Sequence, residues 1–569
     1  MGLGVLEANT TAHVPGTVLL DQAAAHSEQQ TGRLKHGTGK DSNIVLAPQP
    51  SEDPNDPLNW SWAKKHLVMA VIFFGVIVIG VVPGPLLNAG IVAISLDLKR
   101  SPTDIAKVSG YCILATGAFG PFASAFGRKY GKRPMYIFSS LIGLVGVIVS
   151  EAAVGYNTLL AGRVLQGIGI AAYESLAVSS IGDIFFVHER GPRVAVIIFL
   201  LAAISNGISI IAGVITQHLG WHYNFHILLP FVALQTVAVI LFCPETMYRR
   251  KAIYEIDTAG SEENLEKLAK VESAAAHHHE GHGESPNSAD LEKTMTSTTQ
   301  VSVQSIPPKK TWVQELRVYN GTFVDDPVWK MAIASVAILL NVGALYQVFM
   351  TGIIIAWYVA IAISSGVIFA IPPYLMSSAG IGYMSVGPFI GGVLGAAFSL
   401  MTAEPLVKSM TRRNKGIYEP EFALLPLSLG GVCSVAGLIG WGYAVDAHRS
   451  IYLVCFLWGL LLFGMTIIAS FATQWALDAF RQNSTELFIM NMVFKNFFFY
   501  GLTNYVIDWY LTQGAVNMAG VMAGVTGFLC LCAIPMYVYG KKYRYYWHKH
   551  NLLQMLHLET DHTGAEGGA

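Results

Sequence analysis

Residues 161–178 read Ala161-Gly162-Arg163-Val164-Leu165-Gln166-Gly167-Ile168-Gly169-Ile170-Ala171-Ala172-Tyr173-Glu174-Ser175-Leu176-Ala177-Val178. The run is apolar enough for a membrane helix, yet it holds one arginine and one glutamate. An ionisable side chain at such depth is costly and normally faces a cavity or a partner. Eleven steps of 100° return to within about 20° of the start, so Arg163, Gln166, Gly167, Ile170 and Glu174 share one face. A rise of about 16 Å separates the two charges, too far for a direct pair. Each therefore needs its own partner, water or substrate. For Arg163 two readings stand: structural hydrogen bonds to neighbouring carbonyls, or a part in substrate contact and proton coupling.

Working outward, the same apolar texture recurs. A spanning helix needs about 20 apolar residues, and backbone facing lipid must be helical. Such runs fall at 66–89, 104–127, 134–155, 158–180, 194–217 and 222–243, then at 344–370, 383–402, 423–444, 450–473, 486–508 and 517–538. These predict an all-α membrane protein with 12 transmembrane helices in two six-helix halves. The 569-residue chain is 53% hydrophobic and 13% charged, about half the charge of a soluble protein. Its net charge of −1 gives no sign of a nucleic-acid partner. The stretch Val328–Leu340 reads as an amphipathic or tilted lead-in to span 7.

The chain divides into five segments: an N-terminal region 1–65 and a linker 244–327, both expected to be disordered; six-helix halves at 66–243 and 328–540; and a tail at 541–569. The linker is rich in Glu, Ser, Thr and His, a composition that buries too little surface to fold. Its run His277, His278, His279 and His282 beside Glu280 and Glu284 reads as solvated, not as a metal site. No apolar stretch precedes residue 66, so no cleavable signal peptide is expected. If the N-terminus is cytosolic, the inside loops carry eleven Lys or Arg (Arg128, Lys129, Lys132, Arg133, Arg190, Arg193, Lys408, Arg412, Arg413, Lys415, Arg481). The outside loops carry three (Lys99, Arg100, Arg449). That asymmetry predicts cytosolic termini and a cytosolic linker. The sequons at Asn9, Asn59, Asn320 and Asn483 then all lie inside, and no N-glycan is expected.

Arg163-x-x-Gln166-Gly167 in a fourth span resembles the signature of major facilitator transporters, in which that arginine is implicated in proton coupling. Arg128-Lys129-Tyr130-Gly131-Lys132-Arg133 is similar to the end of that family's loop between spans 2 and 3. Two positions depart from it: Ser124 stands for the first glycine, and Arg128 for an aspartate that helps latch the halves. The segment Ser51-Glu-Asp-Pro-Asn-Asp-Pro-Leu-Asn-Trp60 resembles the pre-membrane stretch of fungal twelve-spanner drug:proton antiporter-like proteins. Gly182-Asp183 through Glu189-Arg190-Gly191 is close to their loop after span 4, and Pro244-Glu245-Thr246 to the segment after span 6. Arg413-Asn414-Lys415-Gly416-Ile417-Tyr418-Glu419-Pro420-Glu421 looks like the loop 8–9 signature of the histidinol/polyamine-permease-like branch. There Ala423 replaces the arginine usual after the last glutamate.

Span 11 carries Lys495 near its middle, with Asn491 one turn earlier on the same face. A central lysine pairs across a cavity or meets substrate. Glu174 is the candidate titratable group, Arg163 its tuner, and Lys495 its counterpart from the other half. Gating candidates are Arg128, Gly131, Lys132, Arg133, Asp183, Arg190, Arg413, Glu419 and Asp478. There is no phosphate-binding loop, no nucleophile–base pair and no metal-ligand spacing in the spans, so no enzyme and no cofactor is expected. The expectation is a monomer in the lipid bilayer that exchanges protons for a small-molecule substrate, by rocking of the two halves about a midplane site. Export of a drug or secondary metabolite is favoured over uptake of an organic cation such as a polyamine or amino alcohol. A non-transporting sensor is the reading of another class. The plasma membrane is the expected location, with the vacuolar membrane as the alternative.

Overall fold

The computed structural model describes residues 53–186, 204–249, 308–414, 417–480 and 483–556, with a few short pieces outside these stretches. The histidine run at 277–282 and Arg190 lie outside the described residues.

Span 1 runs Trp62–Asp97 and is not one regular helix. An α-helix, Trp62–Gly75, widens to a π segment at Val76–Val81. Beyond it come a 3-10 stretch at Pro85–Gly90 and a final helix, Ile91–Asp97. Pro83 and Pro85 forbid a continuous ladder there, because proline lacks the N–H and clashes with the preceding turn. Spans 2 to 6 are Pro102–Tyr130, Lys132–Glu151, Tyr156–Ile184, Ser205–His218 (its described part) and His222–Phe242. Spans 7 to 11 are Val342–Ile368, Ser378–Arg413, Leu427–Asp446, Ile451–Ala479 and Ser484–Thr503. Span 12, Val506–Lys549, breaks at Gly514, whose φ of 79° favours glycine. The Asp446 carboxylate there accepts from the N–H groups of Ala515 and Val516 at 2.9 and 2.8 Å, capping the second segment.

Nine of these helices are long and apolar enough to cross a membrane by composition alone, among the described residues. Spans 2 and 11 are not among them, and their position explains why; span 5, described over 14 residues, is too short in its described part to be judged. Span 2 packs on span 11, so their polar residues meet protein where lipid would otherwise lie, and span 5 packs on span 8. Close approach there depends on small residues. A Cβ on Gly213 of span 5 would fall 2.6 Å from the Ser378 carbonyl of span 8. Span 7 sits deepest, 78% buried, while span 12 is 22% buried and forms an outer wall.

Val328–Ala337 is a helix distinct from span 7, a point the lead-in reading left open, and lies across the ends of spans 2 and 11. A 3-10 turn, Ile338–Leu340, and the Asn341 cap on the N–H groups of Gly343 and Ala344 start span 7 afresh. Residues 308–327, which composition assigns to the linker, run along the first half. Phe323 N–H donates to the Lys129 carbonyl at 2.8 Å, and Lys64 pairs with Glu315 at 2.7 Å. Backbone hydrogen bonds of this kind leave no trace in composition. Asp508 opens span 12 instead of closing span 11, because the helix ends at Thr503.

The odd-numbered spans end, and the even-numbered ones begin, at one face. The loops 2–3, 8–9 and 10–11 and the described ends of the linker, 244–249 and 308–327, lie at the other, called here the tether face. There a two-residue strand β1 (Val18–Leu19) pairs antiparallel with β2 (Ile417–Tyr418) of loop 8–9.

Candidate functional site

A cavity of 310 Å³ lies between the halves. The broken middle of span 1 contributes Pro85 and Asn88, span 4 Glu174, span 7 Tyr358, span 10 Trp458, and span 11 Asn491 and Lys495. Glu174 and Lys495 are the two charged residues lining it, among the described residues. They meet directly: Lys495 Nζ lies 2.5 Å from Glu174 Oε1, with side chains 23% and 15% exposed. One charge comes from each half, so the pair is a bridge across the cavity. Asn491 accepts from the Thr351 hydroxyl of span 7 at 2.6 Å. The Tyr358 hydroxyl donates to Asn206 of span 5, a second link between halves.

Arg163 points elsewhere. Fully buried, it does not line the cavity. Its guanidinium donates to the carbonyls of Pro83 at 2.6 Å and Gly84 at 3.4 Å, and to Gln166 Oε1 at 2.9 Å. Those carbonyls are left over where span 1 loses its helical ladder, and in a membrane such groups must find partners within the protein. Gln166 extends the arrangement to span 3, donating to the Gly146 carbonyl at 3.2 Å and to Ser150 at 3.1 Å. The polar stripe of span 4 thus divides. Its first half holds the break in span 1 in shape, and Glu174 reaches the cavity.

The gating candidates divide as well. Arg128, at the tether-face end of span 2, pairs with Glu486 in the first turn of span 11 at 2.9 Å, with side chains 10% and 1% exposed. The link between halves therefore exists with a cation on the first half and an anion on the second. Gly131 has φ 103°, and a Cβ there would collide with the Glu245 carboxylate, so glycine is required on two grounds. Glu245 accepts from the N–H groups of Lys132 at 2.9 Å and Arg133 at 3.1 Å, capping span 3. Burial nonetheless lifts its carboxyl above the usual range. Lys132 pairs with Asp183 at 2.6 Å, joining spans 3 and 4. The Arg133 guanidinium donates to the carbonyls of Ile240 at 2.7 Å, Leu316 at 3.1 Å and Cys243, closing the end of span 6. Those three contacts lie within the first half or reach its docked linker.

In the second half, Glu419 lies 2.6 Å from Lys541 and 2.8 Å from Arg544, and Glu421 lies 2.8 Å from Arg544. Asp478 accepts from the Tyr418 hydroxyl at 2.6 Å. Arg413 is exposed at the end of span 8. Sequence reading did not single out Glu486, Tyr358 or Asn206. A carboxylate in the first turn of span 11, on the side where Arg128 replaces an acid, was a usable signal for Glu486. Nothing in the sequence marks Tyr358 or Asn206.

The family model of the Major Facilitator Superfamily matches residues 66–495, which takes in both halves of this cavity. The chain belongs to the major facilitator superfamily. Similar curated proteins are fungal. Protein HOL1 of Saccharomyces cerevisiae is 24% identical over 91% of this chain and 93% of its own length. The MFS antiporter QDR3 of Candida albicans is 26% identical over 38% of this chain and 30% of its own. The MFS-type efflux pump MMF1 of Mycosarcoma maydis is 27% identical over 38% and 36%. Among solved structures, the human organic anion transporter MFSD10 superposes with a TM-score of 0.50 at 12% identity, over 82% of this chain and 99% of that one. A D-xylose-proton symporter gives 0.50 at 11%, over 83% and 97%. At such identities the structural likeness is one of fold. This major facilitator protein is a membrane-embedded, multi-pass transporter of small molecules, not an enzyme.

Proposed function

We propose that this transporter is a proton-coupled exporter of a small organic compound, with Glu174 as the group at which proton and substrate compete. The observation that carries the reading is the Glu174–Lys495 bridge inside the cavity between halves. A proton on Glu174 removes the anion that holds Lys495, so one protonation event changes both the cavity's charge and a contact between the halves. A transporter that rocks about a midplane site needs such a link between occupancy and closure. Arg163 acts at one remove, by fixing the break in span 1 that supplies part of the cavity wall. Two of the similar proteins, the antiporter QDR3 and the efflux pump MMF1, support export. The excess of lysine and arginine on the tether-face loops supports a cytosolic tether face and cytosolic termini. The plasma membrane is the setting that fits export best.

The test has two parts. Growth of deletion and overexpression strains against a panel of toxic compounds gives substrate and direction: overexpression raises resistance, and deletion lowers it, to an exported compound. Flux of that compound in vesicles with an imposed pH gradient then tests coupling. Wild-type flux should follow the gradient, and Glu174→Gln flux should be indifferent to it. Gradient-driven flux unchanged in Glu174→Gln overturns the coupling. Opposite growth responses indicate uptake, and no flux with ligand binding retained indicates a sensor.

A further inference from the structure

The geometry points to a zwitterion as the substrate of this cavity: a compact molecule whose ammonium is taken by Glu174 and whose anionic group is taken by Lys495. The inference rests on the reading that the cavity is the substrate site. It goes beyond that reading in naming the charge class of what binds there.

Charge balance decides what this cavity can hold. Among the described residues the cavity wall holds one carboxylate and one ammonium, and they neutralise each other at 2.5 Å. The remaining wall is aliphatic, aromatic, amide or hydroxyl, including Ile113, Phe499, Trp458 and Asn496. Net charge left in such surroundings is costly, and breaking a buried pair by removing one partner is strongly unfavourable.

A singly charged cation that bound Glu174 would leave Lys495 facing a second positive charge. A singly charged anion on Lys495 strands Glu174 in the same way, unless a proton accompanies it. A neutral molecule leaves the pair intact and gains nothing from it. A zwitterion separates the pair and replaces it with two pairs of opposite charge, keeping the sum at zero. Both new contacts are charge-assisted hydrogen bonds, the stronger kind.

Two further observations fit this occupant. The charges stand on opposite halves, on spans 4 and 11, so a molecule with both signs holds the halves together as the direct pair does. The volume of 310 Å³ lies at the small end of ligand pockets, about 300–1,000 Å³, which favours a compact molecule over an extended one. Protonation of Glu174 then removes one of the two charged contacts and weakens the substrate's hold, which matches proton-driven release.

The experiment is a binding series on the purified full-length protein in detergent, read by thermal unfolding. The probes are matched triplets built on leucine, phenylalanine and tryptophan: the free amino acid, its methyl ester (cation) and its N-acetyl derivative (anion). In at least one triplet the free amino acid should bind about ten- to a hundredfold more tightly than both derivatives, the effect of one charge-assisted hydrogen bond. Glu174→Gln should move the preference to the N-acetyl anion, and Lys495→Gln to the ester. A wild-type ranking in which an ester or N-acetyl derivative leads, no binding by any triplet, or variants that keep the wild-type order each overturn the inference. The wild-type ranking stands as a test even where a variant fails to fold. Gradient-driven flux of a singly charged compound would sink the zwitterion and spare the proton coupling. Zwitterion binding without gradient-driven flux would do the reverse.

Discussion

Consider replacing Arg128 or Glu486, the pair that joins span 2 to span 11 at the tether face. Glu486 is 1% exposed and Arg128 10%, so removal of either leaves the other buried without that partner. For a buried pair this costs at most about 3–5 kcal/mol, and less where the survivor keeps other contacts. Opening the cavity towards the tether face separates the two spans and returns the survivor to water, so the cost falls on the closed arrangement. At the lower figure the balance between closed and open shifts by about a hundredfold, each ~1.4 kcal/mol being a factor of ten. The assay is the labelling rate of a cysteine placed at the cavity-lining Ala469, with an impermeant thiol reagent applied from the tether face to a cysteine-free background. Arg128→Ala and Glu486→Ala should each speed labelling many-fold, and Arg128→Glu combined with Glu486→Arg should return it towards wild type. Unchanged rates in both single variants, or a double exchange as open as the singles, would refute the reasoning.

Arg163→Lys keeps the charge but not the planar guanidinium that serves two carbonyls and Gln166 at once. Thermal unfolding should show a loss of about 2 kcal/mol, with maximal flux falling more than substrate affinity. Gly131→Ala should lower the unfolding temperature by several degrees, because φ 103° and the Glu245 carboxylate both oppose a Cβ. Tyr358→Phe removes one hydrogen bond between halves at a cost of about 1 kcal/mol, seen as a small change in transport affinity without loss of folded protein. Glu245→Ala exposes the first N–H groups of span 3 and should cost about 1 kcal/mol in the same unfolding assay.

Hydropathy made the spans legible because lipid leaves a helix no choice of composition on its outer face. It was least informative for spans 2 and 11, which face each other and the cavity; in span 11 Asn491, Lys495 and Asn496 dilute the apolar signal. The cavity pair was readable from one rule, that a membrane charge needs a partner, applied to Glu174 and Lys495 together. The same rule could not assign Arg163. A guanidinium on backbone carbonyls and one in a cavity leave the same letter at the same helix position, and backbone carbonyls carry no letter at all. Arg128 was read as the loss of an acid; its compensation, Glu486, stands 358 residues away in sequence. Contacts of that range depend on how the halves meet, which local pattern does not encode.

The strip at 308–327 is joined by the chain to the second half and by its contacts to the first. A chain severed anywhere from 250 to 307 would therefore keep the contacts that hold the strip in place. The second fragment would carry its own address for the first, a strip that docks on Lys64 and Lys129. Co-expressed fragments cut there should reassemble into a working transporter. Fragments cut at 327 should not, since that cut leaves the strip behind on the wrong piece.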